Sequence, residues 1–154
     1  MKLESFNEEY YRLFIHNEQL KNSELDSKDE VISLVKEMII KVQDLYSFSL
    51  RGFYQVNVYV NKRVGIYLEI ERLETIDYGN NLDLKIIVHM NQIFYYQVEN
   101  YDHIPKNTNT FFDGEYYYIH VEEVSIMDII EYADIAYGYE IEKKIKRSRP
   151  IKKH

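Results

Sequence analysis

The chain has 154 residues, no cysteine, and 26 acidic against 19 basic residues, a formal net charge of −7. That length suits one domain or two small lobes, and the lack of cysteine excludes disulfides, thiolate catalysis and Cys-based zinc or iron–sulfur sites. Residues 1–9 are charged where a signal peptide needs an apolar core, and no apolar run approaches the ~20 residues of a membrane span, so a soluble, cytoplasmic protein with no membrane contact is expected.

Residues 10–16 alternate as a strand, with Tyr11, Leu13 and Ile15 on one face, and 17–26 is polar and reads as a loop. Ser27-Lys28-Asp29-Glu30 is a capping box, in which the serine hydroxyl accepts from the third helical amide. The helix behind it carries Val31, Val35, Met38, Val42 and Leu45 in a one-sided apolar stripe, widened by Leu34 and Ile39, so it should lie on a sheet. Tyr54, Val56, Val58 and Val60 alternate with polar neighbours, as do Val64, Ile66, Leu68 and Ile70. These two runs predict an antiparallel pair.

Residues 74–81 contain Gly79-Asn80-Asn81 and read as a connector. Leu82, Leu84, Ile86 and Val88 then open a second lobe as a strand. Residues 91–101 fit two readings. Ile93, Phe94, Gln97, Val98 and Tyr101 suit a short helix started by Asn91, while Phe94, Tyr96 and Val98 suit a strand; the helix is preferred. Asp113-Gly114 predicts a hairpin turn feeding a Tyr-rich strand. Ser125 to Asp128 is a weaker capping box, and its helix would carry Ile126, Ile129, Ile130, Ala133 and Tyr137 on one face and stop at Gly138. The last twelve residues hold seven basic side chains and no acidic one, which leaves residues 1–142 at −14. A basic tail of this kind reads as a solvated, frayed terminus or as a contact to an anionic partner, through Lys143, Lys144, Lys146, Arg147 and Arg149.

The expected fold class is α+β, as two small lobes of antiparallel strands each packed against a helix, with a shared core left open. The divisions are 1–73, a 74–81 connector, 82–142 and a 143–154 tail.

Chemistry is sparsely marked. The histidines His16, His89, His103, His120 and His154 show no metal-ligand spacing, though His89 and His120 lie on predicted strands that could meet. No serine sits in a nucleophile elbow, and the five glycines are too scattered for a phosphate loop. No catalytic residue, metal or cofactor is therefore assigned. The unusual element is tyrosine, with 16 residues. On the hairpin strand Tyr117, Ile119 and Val121 are expected in the core. Tyr116, Tyr118 and His120 share the other face beside Glu115 and Glu122, which is read either as an outward partner-binding surface or as a face covered by a helix or the other lobe. The acidic flanks argue against nucleic acid, except through the tail.

The opening Met1-Lys2-Leu3-Glu4-Ser5-Phe6-Asn7, followed by an apolar strand through Ile15, resembles the start of MecA-type adaptor proteins. The order of helix, Gly52 and paired strands is similar to their first domain. Residues 113–122, with the following helix and Tyr137-Gly138, are similar to their C-terminal domain. The connector is shorter than that family's acidic linker, and a basic tail stands where the family continues. The resemblance implies a non-enzymatic adaptor whose first lobe captures a substrate protein and whose second docks on a ClpC-type AAA+ unfoldase. An acidic inhibitor that imitates nucleic acid, of mobile-element origin, is the alternative suggested by the −14 body. A hydrolase using His89 and His120 is a third, and a homodimer is left open.

Overall fold

The computed structural model describes residues 2–7, 9–20, 25–73, 81–129 and 131–153. The chain divides into two compact units, Met1–Asn91 and Gln92–His154. Each contains a five-stranded sheet, so the α+β class and its two lobes hold.

The first unit runs β1 (Lys2–Asn7), β2 (Tyr10–His16), a 3-10 turn (Asn17–Leu20), α1 (Lys28–Leu45), β3 (Gly52–Asn61), β4 (Gly65–Arg72) and β5 (Leu82–His89). The strand order is β1-β2-β4-β3-β5. Neighbours are antiparallel except β3 and β5, which are parallel. Ser27 caps α1, accepting from the Glu30 amide at 3.2 Å. Such a cap contributes ~1 kcal/mol. Val31, Val35, Met38, Ile39 and Val42 are buried on the sheet side of the helix. Each buried apolar side chain of this size contributes roughly 1.5–3 kcal/mol, so packing, far more than capping, holds α1. Beneath it the alternation predicted for β3 and β4 is realised: Tyr54, Val56, Val58, Val60, Ile66, Leu68 and Ile70 face the same core.

The second unit runs β6 (Phe94–Val98), a 3-10 turn (Tyr101–His103), β7 (Asn109–Phe112), β8 (Tyr117–His120), α2 (Ile126–Ile129), β9 (Ala133–Tyr137), α3 (Tyr139–Lys146) and β10 (Arg149–Lys152). Its strand order is β10-β7-β8-β6-β9, antiparallel throughout. Phe94, Tyr96, Val98, Ile119, Val121 and Ile129 are buried. The hairpin between β7 and β8 forms as expected: Asp113 Oδ1 accepts from the amides of Glu115 and Tyr116 at 2.8 and 2.7 Å. Gly114 takes φ +101°, the region that favours glycine.

Four expectations are corrected. Residues 82–89 form a strand but do not open the second lobe. They pair with β3 in the first sheet, where Val88 joins the core under α1 and Leu82, Leu84 and Ile86 pack against it. The division therefore falls after Asn91, and of the expected connector 74–80 lies outside the described residues. Residues 94–98 are a strand and no helix, because Phe94, Tyr96 and Val98 are buried on one face between β8 and β9. The expected helix over 126–137 is a single turn followed by β9, whose Ala133–Tyr137 run pairs with β6. Ile130 lies outside the described residues. Gly138, at φ +92°, starts α3 where it was expected to stop a helix. Finally, the basic tail is built into the fold. Lys143, Lys144 and Lys146 lie on α3, Arg147 follows it, and Arg149 begins β10, which pairs with β7 from Arg149↔Phe112 to Lys152↔Asn109. The Asn107 amide donates to the Lys153 carbonyl at 2.6 Å, which ties the strand's end down.

Candidate functional site

The predicted partner-binding strand is divided by its own pleat. Tyr118, expected outward, is fully buried. It shares a sheet face with Phe111 and Gln97, its register partners on β7 and β6. Segment α3 lies against β9, and its Glu142 and Lys144 act on Tyr95 and Asp113 at that face. Tyr118 therefore does not serve as a contact residue. Its hydroxyl donates to Asp113 Oδ2 at 2.9 Å. Burial first, and then the Asp113 carboxylate beside it, push the Tyr118 phenol well above its usual range. Tyr117, expected in the core, is only half-buried and stacks on Phe112 at 4.5 Å. Tyr116 is half-buried and Glu115 exposed, and both belong to the turn. The neighbouring Glu115 raises the Tyr116 phenol.

His120 and Glu122 do reach a common site. A cleft of about 830 Å³ opens in the second unit, lined by Asn109, Phe111, His120, Glu122, Glu123 and Lys152 among others. Its volume lies within the ~300–1,000 Å³ typical of ligand pockets. Three neighbouring strands build it: β8 ends at His120, β7 supplies Asn109 and Phe111, and β10 supplies Pro150, Ile151 and Lys152. The Glu122 amide donates to His120 Nδ1 at 3.2 Å. With Nδ1 accepting, Nε2 is the ring nitrogen left to donate. Tyr95 meets the imidazole edge-on at 5.5 Å, which limits its rotation. Glu122, Glu123 and Lys152 are exposed, and Asn109 Nδ2 donates to Glu123 Oε1 at 3.4 Å. Phe111, Pro150 and Ile151 supply the apolar lining. The site thus gathers two carboxylates, a histidine and an ammonium beside apolar side chains, with Glu123 bonded to Asn109, the register partner of Lys152.

Lys152, Glu123, Asn109 and Phe111 were not candidates from sequence. Only the pairing of β10 with β7 gathers them, and a period-2 pattern gives no hint of a partner forty residues away.

A second cluster also went unseen. On the face of the first sheet opposite α1, Phe14, Tyr67, Tyr59 and His89 stand in register across β2, β4, β3 and β5. Phe14 and Tyr67 meet at 5.5 Å, and Tyr59 stacks on His89 at 4.8 Å. The Arg12 guanidinium lies over the rings of Phe6 and Tyr67. Burial and nearby Glu69 raise the Tyr59 phenol. His89 Nε2 lies 3.3 Å from Asn57 Oδ1. His89 is thereby engaged in its own sheet, in a different unit from His120. Among the described residues no three His, Asp or Glu side chains gather where they could hold a metal ion. No described helix is long and apolar enough to cross a membrane.

No family model, no curated protein and no solved structure matches the chain.

Proposed function

We propose that this chain is a non-enzymatic protein-recognition module, an adaptor or regulatory binding protein of the cytoplasm. The cleft of the second unit carries the reading. Its mixture of apolar, acidic and basic lining suits a polypeptide segment, which offers apolar side chains and charges along its length. The His120 ring is oriented by the Glu122 amide, which donates to its Nδ1.

Within this reading, the MecA-like opening segment suggests the partner. The second unit would dock on a ClpC-type AAA+ unfoldase, and the first would hold a substrate protein. The acidic-decoy reading has less support. The outward side of α1 mixes Lys28, Lys36 and Lys41 with Asp29, Glu30, Glu37 and Asp44, so it offers no continuous negative stripe.

The test is a binding titration of the full chain against a purified ClpC-type unfoldase, with and without nucleotide. Saturable binding that weakens in the double variant E122Q/E123Q supports the adaptor reading. No binding removes the unfoldase as partner. Turnover of a small substrate, lost in H120A, would overturn the non-enzymatic assignment.

A further inference from the structure

Strand β5 ends the first sheet, beyond β3 in the order β1-β2-β4-β3-β5. Its eight residues run in unbroken register with β3, from Gly52↔Leu82 to Tyr59↔His89. Among the described residues no backbone hydrogen bond outside this pairing engages 82–89. Alternate residues of such a strand point their amides and carbonyls away from β3, as a template for another strand. The other edge strands are poorer templates. β1 carries a bulge between Ser5 and Asn7, β10 has four residues including Pro150, and β9 has five. The side chains of β5 are sorted by face. Leu82, Leu84 and Ile86 pack against the core under α1 yet stay half-buried, while Asp83 and Lys85 are exposed on the opposite face. Neither charge makes an ion pair with a described residue.

We infer that β5 pairs with β5 of a second copy of this chain, antiparallel about a two-fold axis at Leu84. In that register Asp83 stands opposite the partner's Lys85, and Lys85 opposite the partner's Asp83, so two opposite-charge pairs form on the outer face. On the inner face Leu84 meets its own copy and Leu82 meets the partner's Ile86. The apolar layer under α1 of one copy then continues into that of the other. Charge and pleat together select this register. A slip of one residue sets the apolar residues of one copy beside the charged residues of the other. The slips that keep the faces, one step either way, set Asp83 against Asp83 or Lys85 against Lys85, and like charges directly opposite are destabilising. The strand is thus complementary to itself. A two-fold contact is also closed, so it takes one partner and leaves no β5 edge open for further growth. β5 belongs to the first unit, so its pairing does not depend on what the cleft of the second unit binds.

The test is sedimentation equilibrium of the full chain and of two charge reversals, D83K and K85D. The parent should pass from monomer to dimer between ~1 µM and ~1 mM. Each reversal alone turns both cross-strand pairs into like-charge pairs, so its self-association should weaken at least roughly tenfold. An equimolar mixture of D83K and K85D restores opposite charges at both pairs and should dimerise about as well as the parent. Both positions are exposed, and thermal unfolding like the parent's would show each variant intact. Slower hydrogen exchange of alternate β5 amides in the dimer places the contact at this edge. A parent that stays monomeric at ~1 mM, reversals that dimerise as the parent does, or a mixture that gains nothing over its components overturns the inference. Dimerisation that leaves β5 exchange unchanged also overturns it, since the contact would then lie elsewhere.

Discussion

The hydroxyl of Tyr118 and the carboxylate of Asp113 are joined by a 2.9 Å hydrogen bond that closes the β7–β8 hairpin from its strand side. The same carboxylate accepts two backbone amides of the turn through its other oxygen. Tyr118→Phe removes one donor to a charged acceptor and leaves the other two in place. The expected loss is about 1–2 kcal/mol, read as a lower urea midpoint with an unchanged slope. A change under about 0.3 kcal/mol would show that this bond is replaced by water at no cost.

The Asp113 carboxylate should also make the hairpin acid-labile. Burial pushes its pKa up, but the amides of Tyr116 and Glu115, the Tyr118 hydroxyl and nearby Lys144 outweigh burial and set it below the usual value. A depressed folded value means that the unfolded chain takes up the proton first. The stabilisation is therefore full above the ordinary carboxylate range and is lost as pH falls through the lower folded value. Asp113→Asn should be less stable than the parent at pH 7, and the gap should narrow toward pH 2–3. Thermal unfolding across that window checks it, and a gap constant with pH would exclude ionisation of Asp113 as its source.

The legible parts of this molecule were those whose burial is one-sided. In β3 every second residue is buried beneath α1, so its alternation announced both the strand and its inner face. Strand β5 was equally visible, but nothing in its pattern could show that it lies parallel to β3 and not in the second sheet. The helix expected over 126–137 failed for another reason. Ile129, Ala133 and Tyr137 satisfy helical spacing, yet one turn followed by a five-residue strand places apolar residues at the same positions. The partial success at the cleft follows the same logic. His120 and Glu122 stood out because they end a conspicuous strand. Lys152 looked like part of a solvated tail, since charge composition says nothing about strand pairing.

At the start of α1, the capping bond from the Glu30 amide to Ser27 Oγ is local and exposed. Ser27→Ala should cost about 1 kcal/mol, while Ser27→Asp, which keeps an acceptor oxygen near the positive helix end, should cost little. Thermal melts of the two variants separate the cap from any packing effect of the side chain. Equal destabilisation by both would place the effect elsewhere.

Gly65 begins β4 at φ +143°, and a Cβ there would collide with the Ile15 carbonyl. The obstacle is backbone in the adjoining strand β2, so no side-chain rotation relieves it. Gly65→Ala should therefore destabilise by about 3 kcal/mol or more, since strain and steric displacement add. The same change at Gly114, also at positive φ but with open space around the added atom, should cost only the backbone term, about 1 kcal/mol. Chemical denaturation of both variants gives the comparison, and equal losses would contradict the collision.

Ending the chain after Ser148 removes β10, and a frayed terminus would not register the loss. Here the deleted strand pairs with the whole of β7, its Lys153 carbonyl accepts from the Asn107 amide, and the Lys153 ammonium donates to the carbonyls of Tyr101 and Asp102 at 3.2 and 3.3 Å. The same ammonium lies 5.0 Å from the centre of the Tyr101 ring, which it therefore also holds. With several hydrogen bonds lost, each contributing ~0.5–1.5 kcal/mol net, the shortened chain should exchange its Asn107 amide at least roughly tenfold faster. Amides of α1, in the other unit, provide the internal reference. Protection at Asn107 that is unaltered by the deletion would mean that β10 does not pair with β7 in solution, and the cleft between their side chains would go with it.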